Sequence, residues 1–88
     1  MHYVYILQSK RDGNLYAGCT NDLKRRLLMH NSKRIISTRK RTPLNLIYYE
    51  AFINQQDAFN REKWLKTGWG RSRLKKILNN YFIHQKPK

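Results

Sequence analysis

Carboxylates are scarce in this chain, which contains five aspartate and glutamate residues among 88. A turn, two helix starts and a strand end account for four of them, namely Asp12, Asp22, Asp57 and Glu50. Glu62 is different, because its spacing from Ala58 and Leu65 places it on an inward helical face. A carboxylate there is costly unless it pairs with a cation or binds a metal ion. An ion pair with an arginine and a Mg²⁺ site both remain open from position alone.

Arg26 and His30 form a second candidate group, because a spacing of four residues puts them on the same face of a helix. A guanidinium can bind two phosphate oxygens at once, and an imidazole can donate a hydrogen bond or transfer a proton. The pair could therefore hold a phosphate. A solvated basic face is the simpler interpretation of the same spacing.

Two tyrosines, Tyr5 and Tyr16, lie in short strand-like runs on either side of the turn sequence Asp12-Gly13. A phenol, with a pKa of about 10, is a weak base at neutral pH, but a nearby metal ion or guanidinium lowers that pKa. Packing within a sheet is the ordinary role of such residues. The pairing register is left open, and a shift of one residue would turn one phenol to the opposite face.

The elements that would position these side chains follow from the hydrophobic pattern. Strand-like runs cover residues 2–8, 15–18 and 46–52, and the first two form a hairpin. Helical patterns end near residues 30, 66 and 82. The chain is therefore predicted to be an α+β domain of order β-β-α-β-α-α, in which helices cover a small three-stranded antiparallel sheet.

Capping residues mark where the first two helices begin. Thr20 or Asn21 is expected to cap the first helix, with Asp22 in its electropositive first turn. Asn54 is expected to cap the second helix.

Glycines and polar runs mark the remaining boundaries. Gly68 and Gly70 are expected to separate the second helix from a last helix over residues 71–82. Residues 31–45 are predicted to form a long basic loop. One domain is predicted for residues 1–83, followed by a disordered basic tail at residues 84–88.

The balance of charge indicates a polyanionic partner. Lys and Arg number 19 against 5 Asp and Glu, which gives a formal net charge of +14. Self-repulsion at this charge destabilises a compact state, so a partner is the usual reason for it. Nucleic acid is favoured over a membrane surface, because the basic residues spread along the whole chain. The residues expected to contact nucleic acid are Lys33, Arg34, Arg39, Lys40, Arg41, Arg71 and Arg73.

Cysteine and histidine usage narrows the class of protein further. Cys19 is the single cysteine, so no intrachain disulfide is expected, and with three scattered histidines it cannot build a zinc site. No apolar run reaches the length of a signal-peptide core or a membrane span. A cytoplasmic location without a membrane partner is the expectation.

Taken in order along the chain, these residues resemble the motifs of the GIY-YIG nuclease family. The first two tripeptides of the match are Val4-Tyr5-Ile6 and Tyr16-Ala17-Gly18. The later motifs are Thr20-Asn21-Asp22-Leu23, Arg26, His30-Asn31 and Arg61-Glu62-Lys63. The resemblance runs from residue 2 to about residue 80. The chain is similar to the small stand-alone members of the family and to the N-terminal incision module of the bacterial excision-repair nuclease. Val4 and Ala17 depart from the family pattern at positions that are not catalytic.

The resemblance implies a divalent-metal-dependent endonuclease that nicks DNA by hydrolysis. It implies that Glu62 holds one ion, Mg²⁺ or Mn²⁺, and that Arg26 contacts the scissile phosphate. Either Tyr5 or Tyr16 is the implied general base, and the other tyrosine positions phosphate or water. His30 is implied to support the site by hydrogen bonding.

Two alternatives to this function remain at the level of sequence. One is a non-catalytic nucleic-acid-binding module of the same fold, in which Trp64 or Trp69 stacks on bases. The other is a basic adaptor that docks on an acidic protein, for which charge is the sole argument. DNA is the expected partner, RNA stays open, and a partner protein is one source of substrate specificity, since phosphate contacts position a protein without specifying sequence.

Overall fold

The computed structural model describes residues 1–85, which form three strands and four helices. In chain order the elements are β1 (His2–Ser9), β2 (Leu15–Thr20), α1 (Leu23–Asn31), β3 (Leu44–Phe52), α2 (Gln55–Leu65), α3 (Gly68–Ile77) and α4 (Asn79–Gln85). The three strands form one antiparallel sheet of order β2-β1-β3. The predicted α+β architecture with a three-stranded antiparallel sheet is thereby confirmed.

The central strand β1 is covered on both faces. Val4, Tyr5, Ile6 and Leu7 are each at most 2% exposed, which requires cover above and below the sheet. Successive side chains alternate between the faces. The core on one face joins Val4 and Ile6 to side chains of α2 and α3, namely Ala58, Leu65 and Leu74. The core on the other face joins Tyr5 and Leu7 to side chains of α1 and β3, namely Leu23, Leu27, Leu44 and Leu46.

The start of α1 differs from the prediction. Asp22 is itself the N-cap, and its Oδ1 accepts a hydrogen bond from the Arg25 backbone N–H at 3.1 Å. The reason is that β2 continues through Thr20, which pairs with Tyr3, so the chain enters the helix later. The Thr20 hydroxyl instead accepts a hydrogen bond from the Asp22 backbone N–H at 3.1 Å.

The C-terminal helices also differ from the prediction. The single helix expected over residues 71–82 is two helices, α3 and α4, separated at Leu78. Gly68 and Gly70 lie in the first turn of α3, and Thr67 is its N-cap, with its hydroxyl accepting from the Gly70 N–H at 3.2 Å. A Cβ added at Gly70 would collide with the Trp64 carbonyl and the Leu65 backbone. Gly70 is therefore required for close contact between α2 and α3, rather than for ending a helix.

The predicted C-terminal tail begins inside α4. His84 and Gln85 are helical, and the Gln85 side chain donates to Gln8 Oε1 at 2.8 Å. The remainder of the predicted tail, residues 86–88, lies outside the described residues. The longest described helix has 11 residues, and none of the helices within residues 1–85 is long and apolar enough to cross a membrane.

The segment between α1 and β3 is fastened to the rest of the domain at several points. The Asn31 side chain accepts from Leu44 N at 2.8 Å and donates to Leu44 O at 3.0 Å, so β3 begins earlier than predicted. The buried Ser9 hydroxyl donates to Arg41 O at 2.6 Å, and Arg11 donates to Lys40 O at 3.2 Å. We call residues 32–43 the basic loop.

Candidate functional site

The strand register puts both candidate tyrosines on the same face of the sheet. Tyr5 pairs with Gly18, and Leu7, two residues along β1, pairs with Tyr16. Since paired residues point to the same side, Tyr5 and Tyr16 both face α1. Each ring packs edge-on against the imidazole of His30, with ring centroids 5.8 Å away for Tyr5 and 5.2 Å away for Tyr16. The register that the sequence left open thus brings the two phenols to one histidine.

Gly18 makes room for the Tyr5 phenol. A Cβ added at Gly18 would collide with the hydroxyl and ring carbons of Tyr5. The Tyr5 ring therefore lies directly over the backbone of the edge strand β2. Glycine is therefore required at the end of the Tyr16-Ala17-Gly18 motif because a side chain would clash with Tyr5, and not because of the backbone angles.

A chain of hydrogen bonds connects α1, β1 and the basic loop. Arg26 Nε donates to Tyr5 Oη at 3.3 Å, and Tyr5 Oη lies 2.9 Å from His30 Nε2. The other ring nitrogen, His30 Nδ1, lies 2.7 Å from Thr38 Oγ1. Tyr5, His30 and Thr38 are buried, whereas Arg26 is partly exposed. Arg26 is therefore the residue of this hydrogen-bonded series that a bound phosphate could reach.

Burial controls the ionisation of His30 and Tyr5, the two central residues of this hydrogen-bonded series. Burial, followed by the positive charge of Arg26, lowers the pKa of His30 to about 4, so the imidazole is neutral at pH 7. Burial raises the pKa of Tyr5, and the hydrogen bond from Arg26 offsets only part of that rise. The nearby guanidinium therefore does not by itself make Tyr5 a phenolate at neutral pH.

Tyr16 also contacts the basic loop, where the Ser37 hydroxyl donates to Tyr16 Oη at 3.4 Å. The Tyr16 side chain is partly exposed, in contrast to Tyr5. Ser37 and Thr38 are thus consecutive residues that contact the two halves of the site. Neither residue was predicted from the sequence, because a hydroxyl in a basic loop carries no spacing signal that links it to a distant strand.

Glu62 lies within electrostatic reach of the site. Its side chain is 21% exposed and pairs with Lys66 Nζ at 2.8 Å, one helical turn later, rather than with an arginine. Its negative charge contributes, after burial, to raising the pKa values of Cys19 and Tyr5. Cys19 lies on β2, the edge strand over which the Tyr5 phenol extends.

Few protein ligands for a divalent cation lie around Glu62 in the part of the chain that the structure describes. Within residues 1–85 no three His, Cys, Asp or Glu side chains cluster as a complete protein-built metal site would require. A cation could therefore take the single carboxylate of Glu62, with its other ligands from water or phosphate oxygens. That set fits Mg²⁺, which commonly combines one or two carboxylates with waters and substrate phosphates.

A second ion pair fixes the helix that carries Glu62. Arg61 donates to both carboxylate oxygens of Glu50, at 2.8 and 3.0 Å, and Tyr48 donates to Glu50 at 2.5 Å. Burial opposes ionisation of Glu50, but the hydrogen bonds from Arg61 and Tyr48 outweigh it and hold the pKa of Glu50 below its ordinary value. Burial and the same carboxylate raise the pKa of Tyr48 to about 12. This contact joins α2 to β3, and it was not predicted from the sequence.

The basic residues expected to contact nucleic acid are mostly exposed. Six of the seven are exposed, namely Lys33, Arg34, Arg39, Lys40, Arg71 and Arg73. The seventh, Arg41, is partly buried, and its Nε lies 3.4 Å from Asp12 Oδ2. Its charge is in part neutralised within the protein. A shallow groove beside Arg26 is lined by Thr20, Asn21, Asp22, Arg25, Arg26 and Met29.

Comparison with known proteins agrees with this architecture. A family model described as the GIY-YIG catalytic domain matches residues 1–76. A UPF0213 protein of Bacillus pumilus strain SAFR-032 is 47% identical over 73 residues, which cover 82% of this chain and 72% of that protein. A UPF0213 protein of Staphylococcus saprophyticus is 38% identical over 77 residues, covering 86% and 93%.

A solved structure supports the same assignment. The solution NMR structure of a UPF0213 protein from Bacillus halodurans is 35% identical and superposes with a TM-score of 0.54, covering 86% of this chain and 83% of that one. The family model spans most of the chain, and the relatives are small proteins of similar length. The chain belongs to the GIY-YIG family of nuclease-type catalytic domains.

Proposed function

We propose that this protein is a divalent-metal-dependent endonuclease that hydrolyses phosphodiester bonds in DNA. Membership in a family of nuclease-type domains supports the class of reaction. The observation that carries the proposal is the contact of Tyr5 with both Arg26 and His30, at 3.3 and 2.9 Å. The carboxylate of Glu62 is near enough for its charge to add to the effect of burial in raising the pKa of Tyr5. A role in DNA repair belongs to the same proposal and follows from the resemblance to the excision-repair incision module.

Arg26 is proposed to contact the scissile phosphate. Among the described residues its side chain hydrogen-bonds Tyr5 through Nε alone. The two terminal nitrogens of its guanidinium can therefore face a phosphate, and their charge stabilises the negative charge that builds up on phosphate oxygens during attack.

Tyr5 is proposed as the general base for the attacking water. Its oxygen accepts a hydrogen bond from a cationic group, which favours the phenolate over the phenol. Burial raises the pKa of Tyr5 and outweighs this hydrogen bond. A cation held by Glu62 would supply further positive charge for the phosphate and the phenolate. Tyr16 would position phosphate or water, and neutral His30 would hold the Tyr5 oxygen in place.

The exposed basic residues of the basic loop and of α3 are proposed to bind the DNA backbone. They are Lys33, Arg34, Arg39 and Lys40 in the loop, together with Arg71 and Arg73 on α3. Phosphate contacts do not select a sequence, so a partner protein is proposed as a source of substrate specificity. RNA stays open as an alternative substrate, and a cytoplasmic location stays a prediction.

Nicking of supercoiled DNA in the presence of Mg²⁺ or Mn²⁺ tests the proposal. Glu62→Gln keeps a hydrogen-bonding partner for Lys66 but removes the charge, and Arg26→Ala removes the phosphate contact. We expect each variant to lose about 10²- to 10³-fold in turnover, which is typical for loss of one transition-state contact. The matched controls are Asp57→Asn on α2 and Arg25→Ala on α1, both exposed, which should retain nicking.

Two outcomes would contradict the proposal. Equal nicking by the wild type and both site variants would identify a contaminating nuclease. Binding without cleavage of duplex, flap and single-stranded DNA with either metal would favour a nucleic-acid-binding module. One observation supports that second candidate, since the Trp69 side chain is 80% exposed and could stack on a base.

A further inference from the structure

Thr38 is a buried polar residue whose hydroxyl contacts His30. It lies in the middle of the basic loop, between exposed neighbours, yet its own exposure is 0%. Its hydroxyl lies 2.7 Å from His30 Nδ1, on the side of the ring that faces away from Tyr5. The described part of the chain gives this hydroxyl no other side-chain or backbone hydrogen-bonding partner. A buried side chain of a basic loop thus contacts the proposed site through one atom of His30.

The position of the ring hydrogen on His30 decides which of Thr38 and Tyr5 donates a hydrogen bond to the ring. Neutral His30 carries one ring hydrogen, on Nδ1 or on Nε2. If Nδ1 carries it, Nδ1 donates to Thr38, and the Thr38 hydroxyl hydrogen has no acceptor although it is fully buried. If Nε2 carries it, Thr38 donates to Nδ1 and Nε2 donates to Tyr5 Oη. This arrangement leaves the Tyr5 hydroxyl hydrogen without a protein acceptor, but Tyr5 is 2% exposed and contacts the partly exposed Arg26, whereas Thr38 is 0% exposed. Because a donor without an acceptor is most costly where water cannot reach it, the second arrangement is favoured.

We propose that Thr38 is a positioning residue that holds His30 in the tautomer with its hydrogen on Nε2. The Tyr5 oxygen then accepts two hydrogen bonds, one from Arg26 Nε at 3.3 Å and one from His30 Nε2 at 2.9 Å. Both donors point at the oxygen, so the phenolic hydrogen is left to be donated to water or to a substrate atom. The catalytic consequence rests on the proposed function, but the tautomer itself does not.

The arrangement suits a phenol that acts as a base. Two donors stabilise negative charge on the Tyr5 oxygen as its proton leaves, whereas the other tautomer would have Tyr5 donate into the ring. Thr38 is also followed directly by Arg39 and Lys40. The basic loop therefore has two tasks in this proposal, since it carries charge for the backbone of nucleic acid and fixes the histidine behind the site.

The ring nitrogens of His30 can be observed directly by ¹⁵N NMR of the whole protein at pH 7. A ring nitrogen without hydrogen resonates far downfield of one that carries hydrogen, and His30→Gln identifies the signals by removing them. We expect an unprotonated Nδ1 and a protonated Nε2 in the wild type and in Thr38→Ser. We expect Thr38→Val, which keeps the shape but lacks the hydroxyl, to show averaged signals of mixed tautomers.

The same spectra can overturn the proposal. A wild-type His30 protonated on Nδ1 would refute it, even if the Thr38→Val variant failed to fold. An unchanged single tautomer in Thr38→Val would show that Thr38 merely fastens the loop. Neither result requires nuclease activity, so failure of this inference can be told apart from failure of the proposed function.

A kinetic measurement tests the catalytic consequence. With nicking established, Thr38→Val should lower kcat by about 10- to 100-fold, as is typical when the partner of a site residue is removed. DNA affinity should stay unchanged, and Thr38→Ser should restore kcat. A loss of affinity with unchanged kcat would contradict the proposal, because it would assign Thr38 to loop structure and substrate binding alone.

Discussion

Burial, more than the identity of its neighbours, decides what His30 can do chemically. An exposed histidine would be partly cationic near neutral pH and would repel the adjacent Arg26. In this fold the ring is completely buried between Tyr5, Tyr16 and Thr38, and its pKa falls to about 4. A neutral ring can both accept and donate a hydrogen bond, which the contacts with Tyr5 and Thr38 require.

The buried, neutral state of His30 predicts a loss of stability in weak acid. The ordinary pKa of 6.5 applies to the unfolded chain and about 4 to the folded protein, so the unfolded chain binds the proton more readily. The contribution of neutral His30 to the free energy of unfolding should be complete above pH 6.5. It should then fall by up to about 1.4 kcal/mol per pH unit as the pH drops towards about 4. Urea unfolding at a series of pH values measures this slope.

His30→Gln provides the comparison for that slope. The variant lacks the titrating group, so between pH 6.5 and 5 its stability should change little with pH. Carboxylates with lowered pKa values, such as Glu50, lose their contribution only below about pH 4.5 and so do not obscure this window. Equal slopes in the wild type and in His30→Gln would show that His30 is not the group responsible.

Among the elements, the contact of α2 with α3 is the one that the sequence misrepresented. Gly68 and Gly70 look alike as helix breakers, but they have different surroundings. A Cβ at Gly70 meets the backbone of α2, whereas a Cβ at Gly68 meets nothing within 4 Å. Because α2 carries Glu62, the spacing of these two helices bears on the position of the proposed metal ligand.

This difference gives a matched pair of substitutions. Gly70→Ala should lower the free energy of unfolding by about 1–3 kcal/mol, since backbone atoms rather than flexible side chains must move. Gly68→Ala should be neutral or stabilising by less than about 1 kcal/mol, because alanine favours a helical backbone. Thermal or urea unfolding of both variants measures the contrast. Equal effects at the two positions would contradict the close α2–α3 contact.

The elements themselves were predictable where local signals determine them. The three strands and the N-cap of α2 follow from β-branched and aromatic runs and from Asn54. The contacts that build the site were not predictable in the same way. His30 meets Tyr5 across 25 residues and Thr38 across 8, and Arg61 meets Glu50 across 11. No local propensity encodes such partners, and the choice depends on the strand register and on how helices pack.

Resemblance supplied what local patterns could not, because the ordered motif carries the site residues together. It named Tyr5, Arg26 and His30, and the structure brings these three into contact. It did not name Ser37 or Thr38, whose hydroxyls contact Tyr16 and His30.

At the scale of the whole molecule, charge and size together determine how DNA binding should respond to salt. The net charge is +14, and the molecule measures 42 × 30 × 19 Å along its principal axes. Screening in physiological salt limits the reach of a surface charge to about 8 Å. Only the charges on one face can therefore interact with a bound duplex, and the response should reflect far fewer than all of them.

The basic loop lies on the α1 face of the sheet and α3 on the other face, so a duplex on the loop face meets four of the six exposed residues proposed to contact phosphates. The logarithm of the binding constant should then fall with the logarithm of salt concentration with a slope of about −4, and a slope of about −5 would add the two arginines of α3. Arg39→Gln should reduce the size of that slope by about one. Lys76→Gln, which removes an exposed charge outside the proposed contacts, should leave it unchanged. Fluorescence anisotropy with a labelled duplex measures all three. A flat response would contradict nucleic-acid binding, and a slope of about −12 would mean that DNA contacts charges around the whole molecule rather than one face.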